Sequence, residues 1–225
     1  ALHIKNAVIK DLLKKYDILS VSKIIWDKNF FTKNLSRFYG EKLITPKLYK
    51  RWYSGHIFNN TSYKERQCGN EPFIAIIIRD NNPIYGTRKT SKGYENVNLN
   101  IFDLKIKYRK WSGGGHLIHT TNDIHESRHD MMLLFGESYK TIKNKYHKPW
   151  DGKVKTIKSN IIGNTGWKNL EELFLVLNET VRYLVLRNFE EYPLSIMNNE
   201  NIDIDILTDS YLNISLIANS TQIYM

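Results

Sequence analysis

The sequence predicts an α+β fold. Three observations carry that expectation: apolar residues at helical spacing near both ends, a compact β-branched run in the first half, and a composition able to fill a core. The 225 residues are 41% hydrophobic and 12% aromatic with only five prolines and twelve glycines, which separates the chain from disordered and low-complexity sequences. The length suits one medium domain followed by a smaller one.

In chain order, Val8, Ile9, Leu12, Leu13 and Tyr16 recur every three or four residues and predict an amphipathic helix. Residues 18–26 (ILSVSKIIW) are β-branched and partly alternating, which predicts a strand; Phe30, Phe31, Leu35 and Phe38 then return to helical spacing. Pro46 opens a further short helical stretch, KLYKRWY. The clearest strand is PFIAIIIRD at 72–80, whose near-continuous apolarity predicts burial on both faces and a central place in the sheet.

PIYGTRKTSKG at 83–93 reads as a second strand and a glycine-punctuated loop, while residues 98–111 are polar and mixed, with no assigned element. After three glycines come a short strand HLIH (116–119), a polar turn TTND and a helix over 124–135, with Asp123 as its N-cap and Glu126 completing a capping box. The Lys-, Asn- and Gly-rich stretch 137–166 predicts a linker between a domain at 1–136 and a small α/β segment at 167–225. In that segment NLEELFLVLNETVRYLV predicts an amphipathic helix, and NIDIDILTDSYLNISLIAN a strand, a turn and a second strand.

Lys plus Arg number 33 against 23 acidic residues, a formal +10 with a pI near 9.4, which favours anionic partners such as nucleotides. The early lysines are scattered and a Lys-, Asn- and Ile-rich composition follows from an AT-rich genome, so net charge alone does not assign a nucleic acid as partner. A single cysteine, Cys68, excludes an internal disulfide and a thiolate metal cluster and suits a reducing, cytoplasmic compartment. No apolar run reaches the roughly 20 residues that span a bilayer. The opening ALHIKNAVIKDLLKKY reads directly as folded structure rather than as a secretory signal; it lacks a methionine, and further residues upstream are expected.

Four histidines crowd WSGGGHLIHTTNDIHESRHD, residues 111–130. His125 and His129 stand at i, i+4 with Glu126 between them, so HESRH matches the H-E-x-x-H pattern of zinc hydrolases in letters. A zinc hydrolase would also need a third ligand downstream, and the only later histidine, His147, lies in the lysine-rich stretch. His116 and His119 form the other pair, on the segment before the turn. The run PFIAIIIRD, the arginine of IYGTRKTSKG, the arginine of KYRKW and then HLIHTTNDIHESRHDMMLLFG resemble, in order and spacing, the second half of a nucleoside diphosphate kinase.

The resemblance is clearest over residues 70–136 and implies a ferredoxin-like antiparallel sheet covered by helices. It implies that His119 accepts the phosphoryl group, that Arg88 and Arg109 hold the nucleotide phosphates with Thr90 or Thr87, and that Glu126 orients the histidine ring. His116 stands where the family has an asparagine, Thr120 and Thr121 stand for its glycine and serine, and the family's K-P-D-G lysine has no counterpart. The aromatic residue that stacks on the base would be Tyr39, Tyr49 or Phe58.

In NIDIDILTDSY, Asp203 and Asp205 alternate with isoleucines, which puts both carboxylates on one face of a strand. With YLVLRNFEEYP before it, the segment resembles the start of a polymerase-β-type nucleotidyltransferase, implying an Mg²⁺ pair at Asp203 and Asp205. The glycine-serine pair and third carboxylate of that family are not present in the sequence, so a partial module is expected. The expected function is phosphoryl or nucleotidyl transfer from a nucleoside triphosphate with Mg²⁺, to a small-molecule or glycan acceptor as in nucleotide-sugar or surface-polysaccharide synthesis. Self-association into a homo-oligomer is left open. The rival expectations are a nucleotide-binding or assembly domain without phosphotransfer, and the zinc hydrolase.

Overall fold

The middle of the fold is strand β1, Asp17–Ile25, whose residues from Ile18 to Ser22 are all buried. The computed structural model describes residues 2–40, 62–90, 93–187 and 204–220. In it β1 pairs antiparallel with β2, Phe73–Arg79, on one side and parallel with β5, Val154–Lys158, on the other. A second, two-stranded sheet is the hairpin of β3, Tyr85–Thr90, and β4, Gly93–Asn98; a third pairs β6, Tyr183–Arg187, with β7, Asp205–Thr208. The fold is thus α+β.

Eight α-helices occur among the described residues: α1, Lys5–Leu12; α2, Phe31–Tyr39; α3, Ser62–Cys68; α4, Leu99–Trp111; α5, Ile124–Phe135; α6, Tyr139–Lys145; α7, Leu170–Thr180; and α8, Tyr211–Ala218. None is long and apolar enough to cross a membrane.

Two cores share β1. Val8 and Leu12 of α1, Tyr16, and Tyr108 of α4 pack with Ile18 and Val21. The other core joins Ile24 and Trp26 to Phe31, Leu35 and Phe38, to Met132 and Leu133 of α5, and to Val176, Leu177 and Ile217 of α7 and α8. Trp26 is the aromatic hub, with the ring of Phe73 edge-on at 4.9 Å and that of Phe31 at 5.3 Å.

Several sequence expectations change here. PFIAIIIRD forms β2 as expected, but the central strand is β1; β2 pairs with β1 alone among the described residues and is half-buried. Ser20 and Ser22 make β1 look half-exposed in sequence, yet both hydroxyls are buried, because serine is small enough to lie under packed helices. Residues 98–111 form the long helix α4, capped by the Asn98 side chain. The 116–119 stretch is irregular rather than a strand.

The stretch 137–166, read as a linker, carries α6 and the sheet strand β5, and buries Ile142 and Ile161. The last expected strand is instead helix α8, with Ser210 as its N-cap. α7 and α8, from the segment expected to stand apart, fill the same core as β1 and α2. The stretch KLYKRWY with Tyr49, and also Phe58 and Asp203, lie outside the described residues.

α8 is held by a buried cation. Arg37, fully buried on α2, donates from Nε to Leu216 O (3.1 Å) and from Nη2 to Ile217 O (2.7 Å), while Trp167 Nε1 donates to Ala218 O at 2.7 Å. Two carbonyls at the end of α8, those of Ile217 and Ala218, are thereby satisfied, Leu216 O gains a second donor beside Asn219 N, and the negative end of the helix dipole faces the guanidinium. Burial pulls the Arg37 pKa down to about 10, which leaves it charged at neutral pH. Trp167 fits because residue 163 is glycine: a Cβ there would come within 2.3 Å of its ring. Arg37→Ala is expected to cost about 3 kcal/mol in urea unfolding, since it strands the Ile217 carbonyl and removes two hydrogen bonds from a charged donor.

Candidate functional site

Helix α4 ends at Trp111, and the chain turns back through Gly113, Gly114 and Gly115, all in the left-handed region with φ of +89°, +90° and +71°. Only glycine adopts three such residues in succession without strain, and this reversal brings residues 116–121 over the N-terminal turns of α5. Two anchors then fix the segment. Arg109 Nε donates to Ile118 O at 3.0 Å, and Asn122 O accepts from Asn98 N at 2.7 Å while its side chain accepts from Lys105. His119 lies between them.

Its ring nitrogen Nε2 lies 2.9 Å from Asp130 Oδ2, and the other oxygen of the same carboxylate lies 3.0 Å from His129 Nδ1. Asp130 is buried on the inner face of α5. Burial pushes its carboxyl toward higher pKa, but the hydrogen bonds from His119 and His129 outweigh that and hold it below the ordinary value of 3.8, so it is a carboxylate accepting from both rings. That puts the donated proton of His119 on Nε2; in the neutral ring Nδ1 carries the lone pair, and no partner for Nδ1 occurs among the described residues.

The ring also packs edge-on against Phe38 at 5.7 Å and Tyr39 at 5.6 Å, which limits its rotation. Tyr39 is half-buried, with its hydroxyl 3.9 Å from Cys68 Sγ, and desolvation raises its pKa strongly, so the phenol stays neutral.

His119 opens onto a cleft of about 630 Å³ between β2 and α5. Ile74, Ile76 and Ile78 form one apolar wall, Met131 and Leu134 line the side of α5, and His116 and Thr120 stand near the histidine. Thr120 Oγ1 is buried without a hydrogen-bond partner, and Arg109, tied to the neighbouring carbonyl, brings a cation within one residue of the ring. A buried hydroxyl on the cleft beside a histidine suits an anionic group.

The other sequence candidates occupy different places. Glu126 closes the N-terminus of α5: Asp123 accepts from Glu126 N at 2.7 Å, and Glu126 Oε2 accepts from Asn122 N at 2.6 Å, so the capping box spans one residue more than expected. The carboxylate that meets His119 is Asp130, a residue the sequence reading did not single out; its signal was a lone acid on the inward seam of α5. Arg88 faces Asp103 at 3.9 Å and donates to Thr87 O, and Thr90 bonds Glu95 and Gly93 O within the β3–β4 hairpin.

For HESRH, His125 is exposed while His129 turns inward to Asp130, and no three His, Cys, Asp or Glu side chains converge as a metal-ligand set among the described residues. Asp205 of β7 is paired to Arg187 directly across the ladder, an arrangement that neutralises the carboxylate an Mg²⁺ pair would use. Comparison of the chain with protein-family models, with curated proteins and with solved structures finds no match.

The pH dependence of Asp130 follows from its sign. A carboxyl held below 3.8 in the folded chain contributes stability that is fully present above that value and is lost as pH falls through the folded-state pKa. Asp130→Asn is therefore expected to lower stability near neutrality and to shrink the difference in unfolding free energy between about pH 6 and about pH 3. Urea titrations at the two pH values check this; an unchanged difference would mean that the carboxylate is not stabilised by its histidines.

Proposed function

We propose that the chain transfers phosphoryl groups from a nucleoside triphosphate, supplied as its Mg²⁺ complex, with His119 Nδ1 as the first acceptor. One observation carries this reading: the buried Asp130 carboxylate engages Nε2 of a histidine that lines the cleft, and no partner for its Nδ1 occurs among the described residues. Nδ1 attacks the terminal phosphorus, an N–P bond forms, and the P–O bond to the departing nucleoside diphosphate breaks. The ring then carries a proton on Nε2 and the phosphoryl on Nδ1, and the Asp130 carboxylate balances its positive charge. In the second half an acceptor hydroxyl attacks phosphorus, the N–P electron pair returns to Nδ1, and the hydroxyl proton passes to solvent.

Arg109 and the Thr120 hydroxyl are the groups this reading assigns to the phosphates, and the isoleucine wall of β2 is assigned to the base. Arg88 and Thr90, assigned phosphate contacts by the resemblance to nucleoside diphosphate kinases, are engaged within or beside their hairpin and are not needed for the step. The antiparallel β1–β2 pair supports the ferredoxin-like part of the resemblance, while the parallel strand β5 falls outside it. The acceptor in this reading is a small molecule or glycan, and the setting is intracellular.

Incubation with γ-labelled ATP and Mg²⁺ is expected to give an acid-labile, base-stable label on the wild-type chain and none on His119→Gln. Asp130→Asn is expected to slow labelling by about 100-fold or more, because the orienting carboxylate is lost. Wild-type protein that binds nucleotide but takes no label would instead support the binding domain without transfer.

A further inference from the structure

Residues 139–158 hold seven lysines against one acid, Asp151, a net +6 of the chain's +10. In sequence this stretch reads as a lysine-rich linker; the fold arranges it as an exposed ridge running from α6 to the edge strand β5. Lys140, Lys143 and Lys145 lie on α6, Lys148 and Lys153 on the connection, and Lys155 and Lys158 on β5. All seven are exposed. Lys145 reaches Glu137, and the other six form no ion pair among the described residues.

Lys145 and Lys155, from different elements, both stand 5.5 Å from the centroid of the Tyr146 ring. Two ammonium groups sharing one ring repel one another and raise the local potential, a cost that a bound polyanion removes.

From this ridge we infer a binding surface for single-stranded nucleic acid. Lys153 and Lys155 are two residues apart where the chain enters β5, which spaces them by about 6.6 Å, near the separation of successive phosphates in an extended strand. Tyr146 lies between the lysines and offers an aromatic face to a base once the ammonium groups turn to the phosphates. The outer edge of β5, paired only with β1 among the described residues, adds backbone N–H donors. An anionic membrane is a poorer fit, because a helix that lies in a bilayer surface presents a broad apolar face, whereas the buried apolar residue of α6, Ile142, points into the protein. The inference does not rest on phosphoryl transfer at His119.

Fluorescence anisotropy with a labelled single-stranded oligonucleotide of about 20 nucleotides, at salt from about 50 to about 200 mM, tests it. The wild-type chain is expected to bind with an affinity that falls steeply with salt. The triple variant Lys148→Gln, Lys153→Gln, Lys155→Gln is expected to lose about tenfold in affinity and to flatten the slope of log K against log salt by about two. A control triple variant of equal charge change, at the exposed Lys10, Lys89 and Lys168, is expected to stay within about twofold of wild type. Equal losses in both triples would reduce the effect to net charge and overturn the inference. Absent oligonucleotide binding overturns it too, whether or not the chain is retained by phosphatidylserine–phosphatidylcholine vesicles. Duplex of the same length binding more tightly than the single strand would contradict the strand form proposed. Circular dichroism of both triples establishes that they are folded.

Discussion

A carboxylate stays charged inside a protein only where donors replace the water it has lost, and Asp130 has two. Both are imidazoles, one from the loop after the glycine reversal and one from its own helix, so satisfying this single anion ties the loop to α5. The neighbouring structure follows from that demand. The three glycines let the chain double back, Arg109 and Asn98 fix the carbonyls on either side of His119, and Phe38 and Tyr39 close around its ring. The same contacts that make the buried charge tolerable hold His119 at the lining of the cleft.

A second buried charge is stabilised differently. Among the described residues Arg37 meets no carboxylate; it faces carbonyl oxygens at the end of α8, where the partial negative charge of a helix terminus serves as counter-ion. This contact draws the chain's last described helix onto α2, and with α7 it completes the core that supports α5 from behind. Arg128 of α5 reaches Glu179 of α7 at 2.7 Å across the same packing. The floor of the candidate site is therefore built partly from residues beyond 167, so residues far along the chain steady a loop near 119.

The elements that were legible in sequence are those whose apolar residues recur at a clear helical spacing or form a compact β-branched run. α1, β1, α2, β2, β3 and α5 stand where apolar spacing puts them, and Asp123 caps α5 as its position before the helix suggests. The misses have physical causes. In α4, Leu99, Ile101, Leu104 and Tyr108 do recur at helical spacing, but Asn100, Asp103, Lys105 and Lys107 interleave with them and blur the stripe. β5 is exposed at four of its five residues, so it has no buried face to betray it. α8 is rich in leucine and isoleucine, which pattern alone reads as strand. His119 was visible through its turn and its neighbours. Asp130 was not, because only the inward face of a folded α5 reveals that the acid closing HESRHD points toward a histidine eleven residues earlier.

The central claim concerns one proton. If Asp130 accepts from Nε2, His119 in the resting protein is the Nε2–H tautomer, whereas His129, bonded through Nδ1, is the Nδ1–H form. Long-range ¹H–¹⁵N correlation spectra of ¹⁵N-histidine-labelled protein, assigned with His119→Gln and His129→Gln, distinguish the two tautomers directly. The account predicts a protonated Nε2 and an unprotonated Nδ1 at His119, with that pattern lost in Asp130→Asn. A proton resident on Nδ1 of His119 would contradict it, because the nitrogen assigned to phosphorus would then have no lone pair to give.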